Sequence, residues 1–282
     1  MTILITGATG AVGRHVVDEL LATGADVRAV TRDPAKAALP AGADVVRADL
    51  ADASTLTPAL FDGVDAAFAF PTDHQLNAFL DAATAAGVER FVVLSSLAVS
   101  TEFTRDIGSA SQVHHLAIEN AVISRTARWT MLRPGTFANN LLSWAYPITS
   151  AGRVTAPYIH SAQTPIHEAD VAAVAALALT QPGHEGNVYE LTGPQSLTKI
   201  EQVAAISAAI DREIAIDEIT PEQFSDEVSR FIPADVIKML LNYWSDTVNA
   251  PDIPKSTVAD LTGHPGRTLA QWALDHKDAF TG

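Results

Sequence analysis

Three glycines spaced three apart, Gly7, Gly10 and Gly13, follow the apolar run Ile3-Leu4-Ile5 near the start of the chain. That order predicts a strand, a tight turn and a helix, the arrangement that holds a pyrophosphate. Gly7 permits the turn, Gly10 has no side chain to keep phosphates away, and Gly13 lets the helix pack closely on the strand. The first amides of the helix, around Thr9, Ala11 and Val12, then face an anion at the positive end of the helix dipole.

Further along, single residues fall where such a ligand would extend. Arg32 ends the second apolar strand, in Val30-Thr31-Arg32-Asp33-Pro34. Its guanidinium suits a 2′-phosphate and can stack on adenine, which favours NADP(H); the neighbouring Asp33 leaves NAD(H) open. Asp49 is placed to accept from the adenine amino group while Leu50 packs on the ring, or else Asp49 caps a turn. Phe70 and Pro71 follow the fourth strand, where the chain would pass the nicotinamide ribose. Ser95 and Ser96 end the fifth, where a hydroxyl faces the crevice or merely closes the strand.

Regular elements must position these groups. Short β-branched runs alternate with stretches of helical period, the signature of parallel βαβ units. Strands are predicted at 2–5, 26–31, 44–47, 66–70, 90–94 and 129–133. Helices are predicted at 13–23, from Asp33-Pro34, and at 53–60, 75–86 and 111–125. Right-handed crossovers would set all six carboxyl ends along one edge of a doubly wound α/β sheet. Past Gly135 the pattern loosens into an aromatic, proline-containing segment. A helix at 169–180, a strand at 188–191 and a helix at 198–210, with Thr198 and Glu201 as a capping box, come next. The remainder is helical and turn-rich. We divide the chain into a Rossmann domain over residues 1–136, rejoined by a strand near 188–192, and an interleaved lobe over 137–282.

Composition narrows the partners. The 282 residues are 48% hydrophobic and carry a formal charge of −15. An acidic surface repels nucleic acid and anionic membrane. No cysteine is present, which excludes thiolate nucleophiles and cysteine-based zinc sites. His160, His167 and Glu168 have no metal-ligand spacing, so no metal is expected. The longest apolar run, Val171 to Leu179, is too short to cross a bilayer. The expectation is a soluble, cytoplasmic chain, a monomer or weak homodimer.

The chain resembles the atypical, NmrA-like short-chain dehydrogenase/reductases. The matching pieces are TGATGAVG at Thr6–Gly13, TRDPAKA at Thr31–Ala37, ADLAD at Ala48–Asp52 and LSS at Leu94–Ser96. HLAIENAV at His115–Val122, WTMLRPGTFANN at Trp129–Asn140, IHEADVA at Ile166–Ala172 and YELTGPQSLT at Tyr189–Thr198 complete the series. The resemblance implies a Rossmann domain that binds NAD(P)(H), with the nicotinamide near Phe70, Ser95 and the segment Pro134, Gly135, Thr136 and Phe137. It also implies a C-terminal lobe that covers the substrate, with Phe137, Trp144, Tyr146 and Tyr158 in the pocket wall and Asn139 and Asn140 able to donate to a carbonyl.

One departure stands out. The wider superfamily carries Tyr-x-x-x-Lys on the helix after the fifth strand; counting back from Glu119, this chain has Ser111-x-x-x-His115. His115 is then a candidate to bond the ribose or carboxamide, or a structural i,i+4 partner of Glu119. His114 points about 100° away on the helix and is a candidate general acid or plain polar surface. Flat apolar walls suit a planar substrate, and the lack of the usual acid favours a quinone or aromatic polyketone, whose reduced oxyanion is resonance-stabilised. The expected activity is NAD(P)H-dependent reduction, with Ser95, His114, His115 or water giving the proton. The alternatives are a dinucleotide sensor without turnover and a redox or oxygenating enzyme of aromatic secondary metabolism.

Overall fold

The computed structural model describes residues 1–70 and 76–282. The first half alternates strand and helix: β1 (Thr2–Ile5), α1 (Ala11–Ala22), β2 (Asp26–Thr31), β3 (Asp44–Arg47), β4 (Val64–Ala69), α2 (Leu76–Ala85), β5 (Arg90–Leu94), α3 (Ala110–Ile123) and β6 (Arg128–Pro134). There follow α4 (Ala145–Ala151), β7 (Arg153–Ala156), β8 (Ala162–Gln163), α5 (Glu168–Thr180), β9 (Asn187–Leu191), β10 (Leu197–Thr198), α6 (Lys199–Ala209) and β11 (Ala215–Glu218). Helices α7 (Pro221–Val228), α8 (Ala234–Asn249), α9 (Thr257–Thr262), α10 (Leu269–Asp275) and α11 (Lys277–Thr281) close the chain.

Seven parallel strands form one sheet in the order β3-β2-β1-β4-β5-β6-β9. This is the doubly wound α/β architecture read from the sequence. Strand β9, well beyond the aromatic segment, returns to pair with β6. The order reverses between β1 and β4, and that switch point opens a crevice at the carboxyl ends.

Each sheet face has its own core. On one, Ile3, Ile5 and Phe68 pack against Val16, Val17 and Leu20 of α1 and against α5. Helix α5 is apolar nearly all round because it lies between the sheet, α1 and α9. On the other, Leu4, Phe91, Val93 and Met131 meet Phe79 and Leu80 of α2 and Ile118 and Val122 of α3. A third cluster, around the fully buried Trp272 and Phe280 with Ile148, Val203 and Ile206, belongs to the later helices. It is edged by the parallel pair β7–β11, while β8 and β10 form a separate antiparallel pair.

Two expected helices are not regular α-helix. Residues 53–60 form two short 3₁₀ turns, Ala53–Thr55 and Pro58–Phe61. Pro58 forces Thr57 into an extended conformation (φ −76°, ψ 155°) and has no N–H to continue the helix. The helix opened by Asp33-Pro34 is the single 3₁₀ turn Pro34–Lys36; the Asp33 side chain does not cap it but pairs with Lys36 at 3.1 Å. Helix α1 begins two residues before the predicted start, at Ala11.

A buried carboxylate ties distant helices together. Glu168, at the start of α5, lies 2.9 Å from His276 Nε2, 3.4 Å from His167 Nδ1 and 4.0 Å from His15 Nε2 of α1. Among the described residues no group of three or more His, Cys, Asp or Glu is arranged to hold a metal ion. No helix among them is long and apolar enough to cross a membrane.

Candidate functional site

The glycine turn is a cradle that side chains would fill. Gly7 has φ +64°, and a Cβ there would meet Phe70 Cβ at 2.9 Å. A Cβ on Gly13 would lie 2.1 Å from the Gly7 carbonyl oxygen, so only glycine lets α1 approach. Gly10 is the N-cap of α1 and, lacking a side chain, leaves the first helical amides uncapped; no acidic residue stands in that first turn. Thr9, Gly10 and Ala11 are exposed, whereas the Val12 side chain turns into the core. Thr6 braces the crevice: its hydroxyl donates to Phe68 O and accepts from Phe70 N at 2.8 Å. An uncapped, acid-free helix N-terminus behind a glycine turn fits a dinucleotide pyrophosphate.

Around the cradle, Arg32 directly follows β2 as an exposed guanidinium with no partner among the described residues. Asp49 is occupied locally, its Oδ1 accepting from Ala51 N and its amide donating to Thr55 Oγ1. The cap of the following turn is Asp52, not Asp49. Leu50 is half-buried against the second core. Phe70 packs beside Gly7 in the crevice, and Pro71 lies outside the described residues.

The carboxyl end of β5 corrects one expectation. Ser95, only 3% exposed, continues the ladder by donating its amide to Leu132 O, and its hydroxyl donates to Glu119 Oε1 at 2.5 Å. The alternation of a strand therefore turns it into the core beneath α3, not into the crevice. Glu119 also receives Nε and Nη2 of Arg133 at 2.8 and 2.7 Å, a bidentate pair. Ser95 is a structural hydroxyl; Ser96, pointing the other way, reaches the open side with Ser111 Oγ at 3.4 Å.

That open side is a cavity of about 540 Å³ beginning at Gly135 and Thr136, just past β6. Strand β6 is three neighbours from β1 in the sheet, about 14 Å from the glycine turn at ordinary strand spacing. Asn140 and Trp144 line the cavity. Phe137 does not: it bridges to Ile166 and packs on the first core. Tyr158 holds a left-handed turn (φ +54°) away from the cavity lining, and Tyr146 is 79% exposed. Asn139 accepts from Trp272 Nε1 and anchors the third core. His114 and His115 stack edge-on with ring centroids 4.9 Å apart, and neither borders the cavity. Burial, with His114 beside it, pushes the His115 imidazole down to about 4, so it is neutral at pH 7 and no cationic replacement for a lysine. Its Nδ1 is buried without a partner among the described residues.

The sequence reading missed the opposite wall, supplied by α8. The Tyr243 hydroxyl bonds Thr136 Oγ1 at 2.9 Å and donates to Asp252. Burial, and the neighbouring Asp252 carboxylate, hold this phenol well above its usual range. Arg105 clamps the assembly, reaching Asp246 at 2.6 Å and Asp252 at 2.8 Å with its guanidinium 5.0 Å from the Tyr243 ring centroid. No short-range motif joins Arg105 and Thr136 to Tyr243, Asp246 and Asp252, which lie more than a hundred positions further along the chain.

A family model described as NAD(P)H-binding matches residues 7–182. The chain belongs to this family. It is an NAD(P)H-dependent oxidoreductase. It is 37% identical to a (4-alkanoyl-5-oxo-2,5-dihydrofuran-3-yl)methyl phosphate reductase of Streptomyces griseus, over 99% of each chain. It is 34% identical to an NAD(P)H azoreductase of Xenophilus azovorans, again over 99% of each. The structure of the NADPH-dependent quinone oxidoreductase QOR2 of Escherichia coli complexed with NADPH matches with a TM-score of 0.80 at 28% identity, covering 96% of this chain and 98% of that one.

Proposed function

We propose that the protein reduces a planar, electron-poor conjugated acceptor, a quinone or a conjugated carbonyl compound, at the expense of NADPH. The observation that carries this reading is the mostly apolar cavity of about 540 Å³ opening at Gly135 and Thr136, at the sheet edge that also bears the glycine cradle. Relatives named for a quinone, an azo compound and an alkanoyl-oxo-dihydrofuran support the acceptor class.

When bound, the reduced nicotinamide supplies the hydride. The chain's part is to hold and to exclude. The uncapped start of α1 receives the pyrophosphate and Arg32 the 2′-phosphate, which gives the preference for NADPH over NADH. Trp144 and Trp244 present flat faces to a planar ring. The Thr136 hydroxyl lies at the cavity edge and can turn its proton from Tyr243, whose own proton goes to Asp252, to an acceptor oxygen as negative charge develops on it. A hydroquinone anion is resonance-stabilised and takes its proton from solvent, so the absent Tyr-Lys pair is no obstacle.

The test follows the loss of nicotinamide absorbance with 2-methyl-1,4-naphthoquinone as acceptor. Turnover that falls about tenfold or more in Tyr243→Phe, with NADPH affinity retained, supports the assignment. Tight NADPH binding without oxidation by any of a panel of quinones and conjugated ketones overturns it in favour of a sensor.

A further inference from the structure

Lys199, the first residue of α6, is 3% exposed. Its ammonium lines the same cavity, donates to Pro157 O at 2.7 Å and sits 3.5 Å from the centroid of the Trp244 ring. A carbonyl and an aromatic face are its only partners among the described residues. Among the described residues no carboxylate comes within ion-pair distance; Glu218, the acid that acts on it from further off, is an exposed side chain receiving the Ile159 amide.

Taking an ammonium out of water is costly unless a counter-charge meets it. The rest of this wall provides none. Gln202 donates to Gln163 Oε1 and Leu197 O, and Gln163 donates to Ser161 and Thr247. The acids on that side of the cavity are gathered on Arg105, which is bonded to Asp246 and Asp252 with Asp106 4.0 Å away, and none of the three is paired with Lys199. Lys199 is therefore a preformed donor without a counter-charge, facing a cavity whose flanks, Trp144, Phe224 and Trp244, suit a flat ring, and an arriving anion would hold it as the ammonium. Burial pushes its pKa down to about 7, as expected of a cation lacking a partner.

We propose that the acceptor carries an oxyanion, a carboxylate or a phosphate, and that Lys199 binds it inside the cavity. This inference rests on the reading of the cavity as the acceptor site and adds a substituent to it: the conjugated ring lies toward Thr136 and the anionic group meets the ammonium. An incoming oxyanion forms charge-assisted hydrogen bonds in a place where little water competes.

The experiment is a direct binding titration, by calorimetry at pH 7, with the dinucleotide site filled by NADP⁺ so that no anion enters it. The probes are 2-naphthoate, 2-naphthyl phosphate and the neutral 2-naphthamide. Wild type should bind at least one anion on the order of 10- to 100-fold more tightly than the amide. In Lys199→Gln that ratio should fall to within about threefold, with circular dichroism and the thermal midpoint showing that the variant is folded. Lys199→Met gives a second, shape-matched reading if the glutamine variant does not fold. The stronger of the two anions identifies phosphate or carboxylate as the natural group. Equal affinity of wild type for anions and amide overturns the inference, as does a preference that survives in both variants. Binding is measured without turnover, so this failure is distinct from a failure to oxidise NADPH with 2-methyl-1,4-naphthoquinone.

Discussion

The Ser95 hydroxyl donates to Glu119 across 2.5 Å, and both groups are buried. A serine at the end of a crevice-edge strand thus serves packing: it satisfies a carboxylate whose main partner is Arg133. Ser95→Ala should lower stability by about 1–2 kcal/mol while leaving NADPH oxidation within a few-fold of wild type. Glu119→Ala, which strands the half-buried Arg133, should cost more, about 3 kcal/mol. Urea denaturation alongside a turnover assay separates the two effects. A large loss of activity in folded Ser95→Ala would return the residue to the catalytic group.

Gly13→Ala should cripple the cradle. The added methyl would sit 2.1 Å from the Gly7 carbonyl oxygen, and that atom is backbone. Helix α1 must move off β1, at about 1–3 kcal/mol. NADPH affinity should fall at least tenfold, measured by fluorescence titration of the folded variant.

Arg32 separates the two dinucleotides. Its guanidinium is exposed, so removing it should cost the fold almost nothing. Arg32→Ala should weaken NADPH binding about tenfold or more and leave NADH binding nearly unchanged. Equal loss for both would assign Arg32 to general electrostatics.

Acid should destabilise the protein below about pH 6.5. Burial holds His115 at about 4, and burial likewise lowers His167 despite the carboxylates of Glu168, Asp170 and Asp275 around it. The folded state then binds fewer protons than the unfolded chain, so stability is full above the unfolded value and is lost as pH falls from there toward the folded value. For His115 the loss between pH 7.5 and pH 5 is about 1–2 kcal/mol. Urea midpoints across that range should fall for wild type and fall less steeply for His115→Gln.

The residues of the cradle were legible because they are local: a turn, a close helix–strand approach and an uncapped helix start are fixed by Gly7, Gly10 and Gly13 themselves. The six strands and their parallel connection were legible for the same reason, each strand being a short apolar run with its own crossover. Pro58 shows a local signal that outweighs helical periodicity, since it broke 53–60 into two turns. Ser95 and Ser96 differ only in which way a strand residue points, and that depends on which neighbour, Glu119 or the cavity, lies on each side. Tyr243, Arg105 and Lys199 could not be read at all. Their meaning comes from Thr136, Asp252 and Trp244, brought beside them by the packing of α8 and α6 over the sheet edge.

Thr6 gives the crevice its permanence. Where β1 and β4 part, the Thr6 amide gives a last backbone rung to the Phe68 carbonyl, and the Thr6 hydroxyl joins that carbonyl to the Phe70 amide where the next rung would be. The opening is thus a seam, two strands unzipped by a fixed length and stitched at the last point before they diverge. How far the seam runs is set by one side chain two carbons long, and the room left for a dinucleotide is measured from that stitch.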